Sequence, residues 1–506
     1  MSWLILLALV VGAVIVLGVI DVVQTKHAIR RNYPVIGRLR YLLEKIGPEL
    51  RQYIVTDNDE ERPFSRDQRR WVYSTAKKEN QYFGFGTDNK MNLPQYLLIR
   101  HAPFPHQATH DDDQHRVPVA KVLGEWRDRR AAFRPASVIN VSAMSFGSLS
   151  APAIESLNRG CAMAGCLHNT GEGGISRHHL HGGDLIFQLG TGYFGARTPD
   201  GRLDVDKLAE QVESTPVKAI EIKLSQGAKP GLGGVLPAAK VTAEIAAARG
   251  VEQGVTVASP ARHAEFDSLA SMVDLIERLG DATGVPVGIK SAVGQRAFWA
   301  ELADLMASTG RGPDFIAIDG GEGGTGAAPL VFADNVALPF RLGFAEVYRT
   351  FAERGMHEKV VWSGAGKLGF PGEALLAMAL GVDMIQVGRE AMLAIGCIQA
   401  QLCHTGHCPT GVATQMTWYM RGLAPDDKSA RAANYLIGVR HGLLQLANAC
   451  GHAHPAQVGG EAVDLLVEGT KVEGLWEHFG YPDEWRRSAQ ERLDDLTPLM
   501  RHDLRS

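Results

Sequence analysis

Three cysteines crowd into twelve residues as Cys397-x5-Cys403-x4-Cys408, with Pro409 directly after them. Three thiolates and a proline, without a near fourth cysteine, suit a three-iron cluster better than four-coordinate zinc. His404 and His407 lie between the thiols, so a Cys3His zinc site competes directly. Buried free thiols are the plain structural alternative, and spacing alone leaves all three readings open. Cys161, Cys166 and Cys450 are scattered, and six cysteines in a chain this long do not make a disulfide framework.

A second set of chemically capable residues follows short apolar runs. They are Ser142-Ala143-Met144-Ser145-Phe146-Gly147, Asn169-Thr170-Gly171-Glu172-Gly173-Gly174, and Gln226-Gly227-Ala228-Lys229-Pro230-Gly231. Lys290 comes next, then Asp319-Gly320-Gly321-Glu322-Gly323-Gly324-Thr325-Gly326, Ser363-Gly364-Ala365-Gly366 and Gly388-Arg389. Glycines at Gly364, Gly366 and Gly388, beside Arg389, would let backbone N–H groups approach phosphate oxygens closely, although ordinary loop turns also use glycine. A lysine is costly to bury unless it meets an anion or a polarisable group. Lys290 would suit the pyrimidine edge of a flavin, where reduction develops negative charge, with Lys229 and Glu172 above the ring as substrate groups. A lysine stem that snorkels outward from a surface loop is the competing reading.

The elements that must carry these residues are nine apolar runs: Val138–Val141, Leu167–Asn169, Leu185–Gln188, Ala219–Ile222, Val255–Ala258, Pro286–Ile289, Phe315–Ile318, Val360–Trp362 and Met384–Val387. Helical patterns separate many of them, as at Ala238–Arg249, Leu269–Leu279, Ala297–Met306 and Gly372–Leu380. Continuous apolar strands alternating with helices mean a parallel sheet covered on both faces. Nine candidates for eight strands point to a (β/α)8 TIM barrel, with Val255–Ala258 set aside in an insertion. A doubly wound open sheet is the alternative, but no G-x-G-x-x-G follows the first strand. Chemistry in such a barrel sits on the loops after the strands, and phosphate sites lie after the seventh and eighth.

The expected organisation is an apolar anchor over 1–22, an irregular, partly helical extension over 23–130, a barrel with its cysteine loop over 131–425, and a helical tail over 426–506. Trp3 to Ile20 is uncharged and as a helix would span about 27 Å, close to the hydrocarbon thickness of a bilayer. Lys26, Arg30, Arg31, Arg38 and Arg40 follow it, and nothing basic precedes it. That asymmetry predicts a single-pass anchor with the large C-terminal part in the cytoplasm. A cleaved signal fits poorly, because a basic leader and a small-x-small cleavage site are both missing. The acidic run His110-Asp111-Asp112-Asp113 reads as a solvated loop rather than a metal site. With 45% hydrophobic and 21% charged residues among 506, the chain is not intrinsically disordered. A net charge of −4 gives no ground for a nucleic-acid partner.

In order and over more than half the chain, the strand-end motifs and the run from Cys397 to Thr414 resemble the FMN-binding domain of the glutamate synthase family. The resemblance implies a (β/α)8 barrel that binds FMN through Ser142, Ala143, Met144, Ser145, Thr170, Lys290, Asp319, Gly320, Gly321, Gly323, Gly324, Thr325, Gly364, Gly366, Gly388 and Arg389. It implies a [3Fe-4S] cluster on Cys397, Cys403 and Cys408. It also implies that 2-iminoglutarate, formed from 2-oxoglutarate and ammonia, is reduced to L-glutamate. Glu172, Gln226, Lys229 and Arg249 fall where the family meets the oxo-acid. Lys229 and Arg249 supply the cations a dicarboxylate needs, and Lys229 could polarise or protonate the nitrogen that receives a proton beside the flavin hydride. Electrons are expected from a ferredoxin-like donor. The family's glutaminase domain and a nicotinamide fingerprint are not seen, so ammonia is expected from solution or a separate glutaminase subunit. Leu232 and Val235 stand where Glu and Gln are expected. They motivate an alternative, oxidation of another α-amino or α-hydroxy acid with electrons passed to a membrane partner.

Overall fold

The computed structural model describes residues 2–79, 82, 84–107, 115–485, 491, 494 and 496. The cluster at His110 to Asp113 lies outside these residues, as does most of the polar stretch Glu484 to Asp495. The chain divides into two compact units, Met1–Arg70 and Trp71–Ser506.

In the first unit, Ser2–Val23 forms one helix, and Trp3–Val23 is long and apolar enough to cross a membrane. It has no polar face to turn to water, and its large apolar side chains from Trp3 to Val23 are exposed, apart from the half-buried Leu17. Asp21 is the charged exception. Its Oδ2 accepts from the Val35 N–H at 3.0 Å and pairs with Arg38 Nε at 2.8 Å. Of the basic residues after the first helix, Arg30 and Arg31 lie in a short helix, Ala28–Asn32, and Arg38 and Arg40 in the next, Gly37–Leu50.

The second unit is built on eight parallel strands: β1 (Ile139–Val141), β2 (His168–Asn169), β3 (Leu185–Leu189), β4 (Val217–Lys223), β5 (Val287–Ser291), β6 (Phe315–Asp319), β7 (Val361–Ala365) and β8 (Met384–Val387). They close in chain order, with β8 pairing β1 through Ile385 and Ile139. Almost every strand residue is buried, which is why each reads as an unbroken apolar run. Helices alternate with the strands and start where capping chemistry allows. Ser150 accepts from Ala153 N at the start of Ala151–Ala164, and Ser268 caps Leu269–Thr283.

The ninth run lies, as expected, in the insertion between β4 and β5, where Val257–Ala258 pairs antiparallel with Val235–Leu236. The tail begins with a 25-residue helix, Pro425–Ala449, laid on Ala151–Ala164. Gly160 permits that approach, since a Cβ there would stand 2.5 Å from the Ala432 Cβ. Beyond the helix comes an element the sequence reading did not foresee. Val463–Glu468 and Lys471–Gly474 form a hairpin whose first strand also pairs with Leu97–Ile99.

Candidate active site

The loops after the strands enclose one cavity of about 450 Å3, within the range of cofactor and substrate pockets. Its wall includes Ser142, Ala143, Met144 and Ser145 after β1, Glu172 after β2, Gln226 and Lys229 after β4, and Arg249 from the helix Ala243–Arg249. Lys290 on β5, Asp319, Gly323, Gly324 and Thr325 at and after β6, Gly366 after β7, and Gly388 and Arg389 after β8 complete it. Residues that are distant in sequence therefore converge on one space. Thr170, Gly320, Gly321 and Gly364 stand behind that wall. The Thr170 hydroxyl accepts from Gln188 N at 3.1 Å, Gly320 N donates to Ala365 O, Gly321 N donates to Leu338 O, and Gly364 lies against Phe340.

The floor is charged and tightly bonded. Lys290 is buried, with Nζ 3.6 Å from Asp319 Oδ2. Burial alone would lower its pKa, but Asp319 and the nearby Glu221 outweigh it and hold the lysine above its usual range. The other duty of Asp319 is to accept from Gly227 N at 3.0 Å, which fixes the loop carrying Gln226 and Lys229. Gly227 has to be glycine there, because a Cβ would fall 1.8 Å from Gly320 O. Glu221 is fully buried and accepts from Asn169 Nδ2 at 2.8 Å, Gln188 Nε2 at 2.7 Å and Gln386 Nε2 at 3.4 Å. Gln386 also lines the cavity, and its Oε1 is buried without a partner.

Above the floor stand Glu172 and three cations. Lys223 Nζ, which the motifs alone did not single out, lies 3.2 Å from Glu172 Oε2. Burial would raise the Glu172 pKa, yet Lys223 first, then Lys229 and Arg249, hold it below the ordinary carboxylate range. Lys229 is pushed down by burial and by the like charge of Lys223, against a smaller opposing pull from Glu172. Arg249 donates through Nη2 to Phe146 O at 3.2 Å and lies 5.1 Å from the centre of the Phe194 ring. Its Nε is buried without a partner. Val235 and Leu236 of the inserted hairpin close one side, and Leu232 is exposed beside them in the chain.

The cysteine loop follows β8 and the short helix Arg389–Ala394, and Cys403 and His404 reach the cavity wall. Burial would raise the Cys408 thiol, but the N–H groups of Ala413, Thr410 and Val412 and the Thr410 hydroxyl hold it below its ordinary value. Cys403 is pushed up by burial and by Cys408. Cys397 Sγ accepts from Gln399 N at 3.4 Å. Among the described residues, the trio of ligand atoms within 4.8 Å of one another belongs to Glu155, His178 and His181.

The family model for the conserved region in glutamate synthase matches residues 106–453. The chain belongs to the glutamate synthase family. It is 38% identical over 484 residues to a glutamate synthase large subunit-like protein, YerD, of Bacillus subtilis, covering 88% of this chain and 90% of that one. It is 36% identical over 313 residues to the archaeal glutamate synthase [NADPH] of Archaeoglobus fulgidus, covering 61% of this chain and 58% of that protein. Against the ferredoxin-dependent glutamate synthase of Cyanidium caldarium it is 35% identical over 300 residues, which are 18% of that protein. The chain thus spans nearly the whole of one glutamate synthase relative, under three fifths of another and under a fifth of the third.

Proposed function

We propose that this glutamate synthase-type oxidoreductase binds FMN and a [3Fe-4S] cluster and reduces 2-iminoglutarate to L-glutamate. The observation that carries the reading is the cavity wall, where Lys223, Lys229 and Arg249 surround one carboxylate, Glu172. Three cations against one anion leave the positive excess that a dianionic dicarboxylate neutralises. The FMN fit rests on three features: the unpartnered Gln386 Oε1, an acceptor for a ring N–H; the buried cation Lys290; and the glycine-edged rim at Gly366 and Gly388. Three cysteines without a near fourth suit a three-iron cluster, and the N–H groups gathered at Cys408 favour the thiolate that a metal-bound cysteine needs.

In this reading Lys223 and Arg249 bind the substrate carboxylates, with Gln226 beside them. Glu172 holds Lys223 in place. Lys229, its pKa depressed, supplies the proton that the imine nitrogen gains as the C=N bond takes up two electrons and two hydrogens. Bound FMN would supply the hydride to carbon. Cluster and flavin would be refilled by two electrons from a ferredoxin-like or NADPH-linked donor, and ammonia would come from solution or a separate glutaminase subunit. The helix Ser2–Val23, followed by basic residues, would anchor the chain in a membrane with the barrel in the cytoplasm. The test is reoxidation of the anaerobically reduced enzyme by 2-oxoglutarate plus ammonium, with glutamate quantified. Reoxidation by other α-keto or α-imino acids, with none by this pair, would replace the substrate and point to the reading that Leu232 and Val235 motivate.

A further inference from the structure

The segment Ser176-Arg177-His178-His179-Leu180-His181 has no part in the chemistry above. We propose that Glu155, His178 and His181 form a site for a divalent ion of the zinc class, outside the barrel mouth and separate from the cysteine loop. One ligand atom from each lies within 4.8 Å of the other two. Two imidazoles and a carboxylate match the ligand preference of zinc and its neighbours rather than that of calcium or magnesium. Three protein ligands leave one position for water.

The surroundings hold the ligands in place and leave Glu155 Oε2 and His181 Nε2 facing one another. Glu155 lies on the helix Ala151–Ala164, and its Oε1 pairs with Arg159 Nη2 at 2.6 Å. Its Oε2 stands 4.0 Å from His181 Nε2, beyond hydrogen-bond range. Tetrahedral zinc would set a nitrogen–oxygen separation of about 3.3 Å, so the pair needs to close by less than about 1 Å. The histidine loop is clamped to the same helix one turn further on. His181 N and Gly183 N both donate to Asn158 Oδ1, at 2.9 and 3.2 Å.

His178 is buried against the Phe146 ring, with centroids 5.0 Å apart. Ligating imidazoles are commonly oriented by a further carboxylate. Glu244 provides one, its Oε1 2.7 Å from His178 Nε2 though off the axis of a regular hydrogen bond. Arg177 Nε pairs with the same Glu244 oxygen at 2.8 Å. Two guanidiniums, Arg159 and Arg177, stand against Glu155, Glu244 and the exposed Asp426, which lies 2.7 Å from Arg159 Nη1, so the local balance of fixed charge is slightly negative. An ion here would staple the loop after β2 to the helix before it. Both neighbours of the staple touch the cavity wall: the His179 ring bonds Met144 O at 3.0 Å, and Phe146 O receives Arg249.

The experiment is equilibrium dialysis of the purified, cofactor-loaded protein against zinc, with iron and flavin quantified in the same samples. Wild type, His181→Ala and Glu155→Gln are compared after circular dichroism has confirmed their fold. One saturable zinc per chain with iron unchanged is expected, and each variant should bind at least about tenfold more weakly, as loss of a ligand implies. Both altered side chains are partly exposed, so if one variant fails to fold the other still decides. Zinc uptake only at the expense of iron would overturn the proposal, because the thiols would then be the ligands. Equal affinity in the wild type and a folded variant would overturn it too.

Discussion

Lys223→Met removes a charge and keeps most of the stem. Nζ stands 3.2 Å from Glu172 Oε2, and both side chains are four-fifths or more buried. At an effective dielectric of about 20, unit charges at that distance attract by roughly 5 kcal/mol. Desolvation offsets much of this, and truncating one partner of such a pair costs roughly 2 kcal/mol. If Lys223 also binds a substrate carboxylate, kcat/KM for 2-oxoglutarate and ammonium should fall about thirtyfold, at 1.36 kcal/mol per decade. The pH profile should move as well. Lys229 is depressed by burial first and by Lys223 second, so removing Lys223 lets its pKa rise. A proton donor with a higher pKa stays protonated further into the alkaline range, so the alkaline limb should shift to higher pH. The assay is stopped-flow reoxidation of the reduced enzyme at a series of pH values. If kcat/KM changes by less than about threefold and the alkaline limb stays in place, the reasoning about this pair is refuted.

Gly227→Ala would push a Cβ to 1.8 Å from Gly320 O, so thermal melts should show loss of at least about 3 kcal/mol together with poor flavin retention, and an unchanged melt would count against the tight loop contact. His454 is buried, which lowers its pKa to about 4 against a smaller opposing effect of Pro118 O. Because the folded value lies below the unfolded one, its contribution is intact above about pH 6.5 and is lost as pH falls towards 4, by up to about 3 kcal/mol. The melting temperature of His454→Gln should therefore depend less on pH across that window than that of the wild type. Cys408→Ser should reduce bound iron from about three per chain to near none, whereas retained iron would place the cluster elsewhere. Deleting residues 2–23 should move the protein from the membrane to the soluble fraction, and continued sedimentation with membranes would reject the anchor.

The eight barrel strands were legible because each is buried on both faces and so leaves an unbroken apolar run; even the two-residue β2 is flagged by Leu167 and the glycine turn after Asn169. The inserted pair at Val257–Ala258 could be set aside for the same reason, as one run too many for a closed barrel. The small outer sheet was not legible. Its strands Leu97–Ile99 and Val463–Glu468 are short, and they meet across hundreds of residues, through the register Leu97 with Leu465. No local pattern carries that pairing. Lys223 left a fainter trace. It shares the inner face of β4 with Glu221 at period two, while Ile220 and Ile222 take the outer face, so alternation within an apolar strand could have found it.

Glu221, Gln188 and Gln386 are polar residues inside strands that burial should have made apolar, and burying each would cost free energy unless all are paired. They meet that condition together. One carboxylate gathers the amide donors of Asn169, Gln188 and Gln386 and lies close enough to Lys290 to raise its pKa. The account closes except at one atom, Gln386 Oε1, which faces the cavity wall unpaired. A network that satisfies every member but one, and leaves that one acceptor beside a ligand-sized space, could take a donor that arrives with a ligand. Motif spacing could single out Lys229 and Glu172, which line the cavity, because their neighbours in sequence mark them. The floor residues Asn169, Gln188, Glu221, Lys290, Asp319 and Gln386 are defined by one another, from six different strands, and become visible only once the barrel has closed.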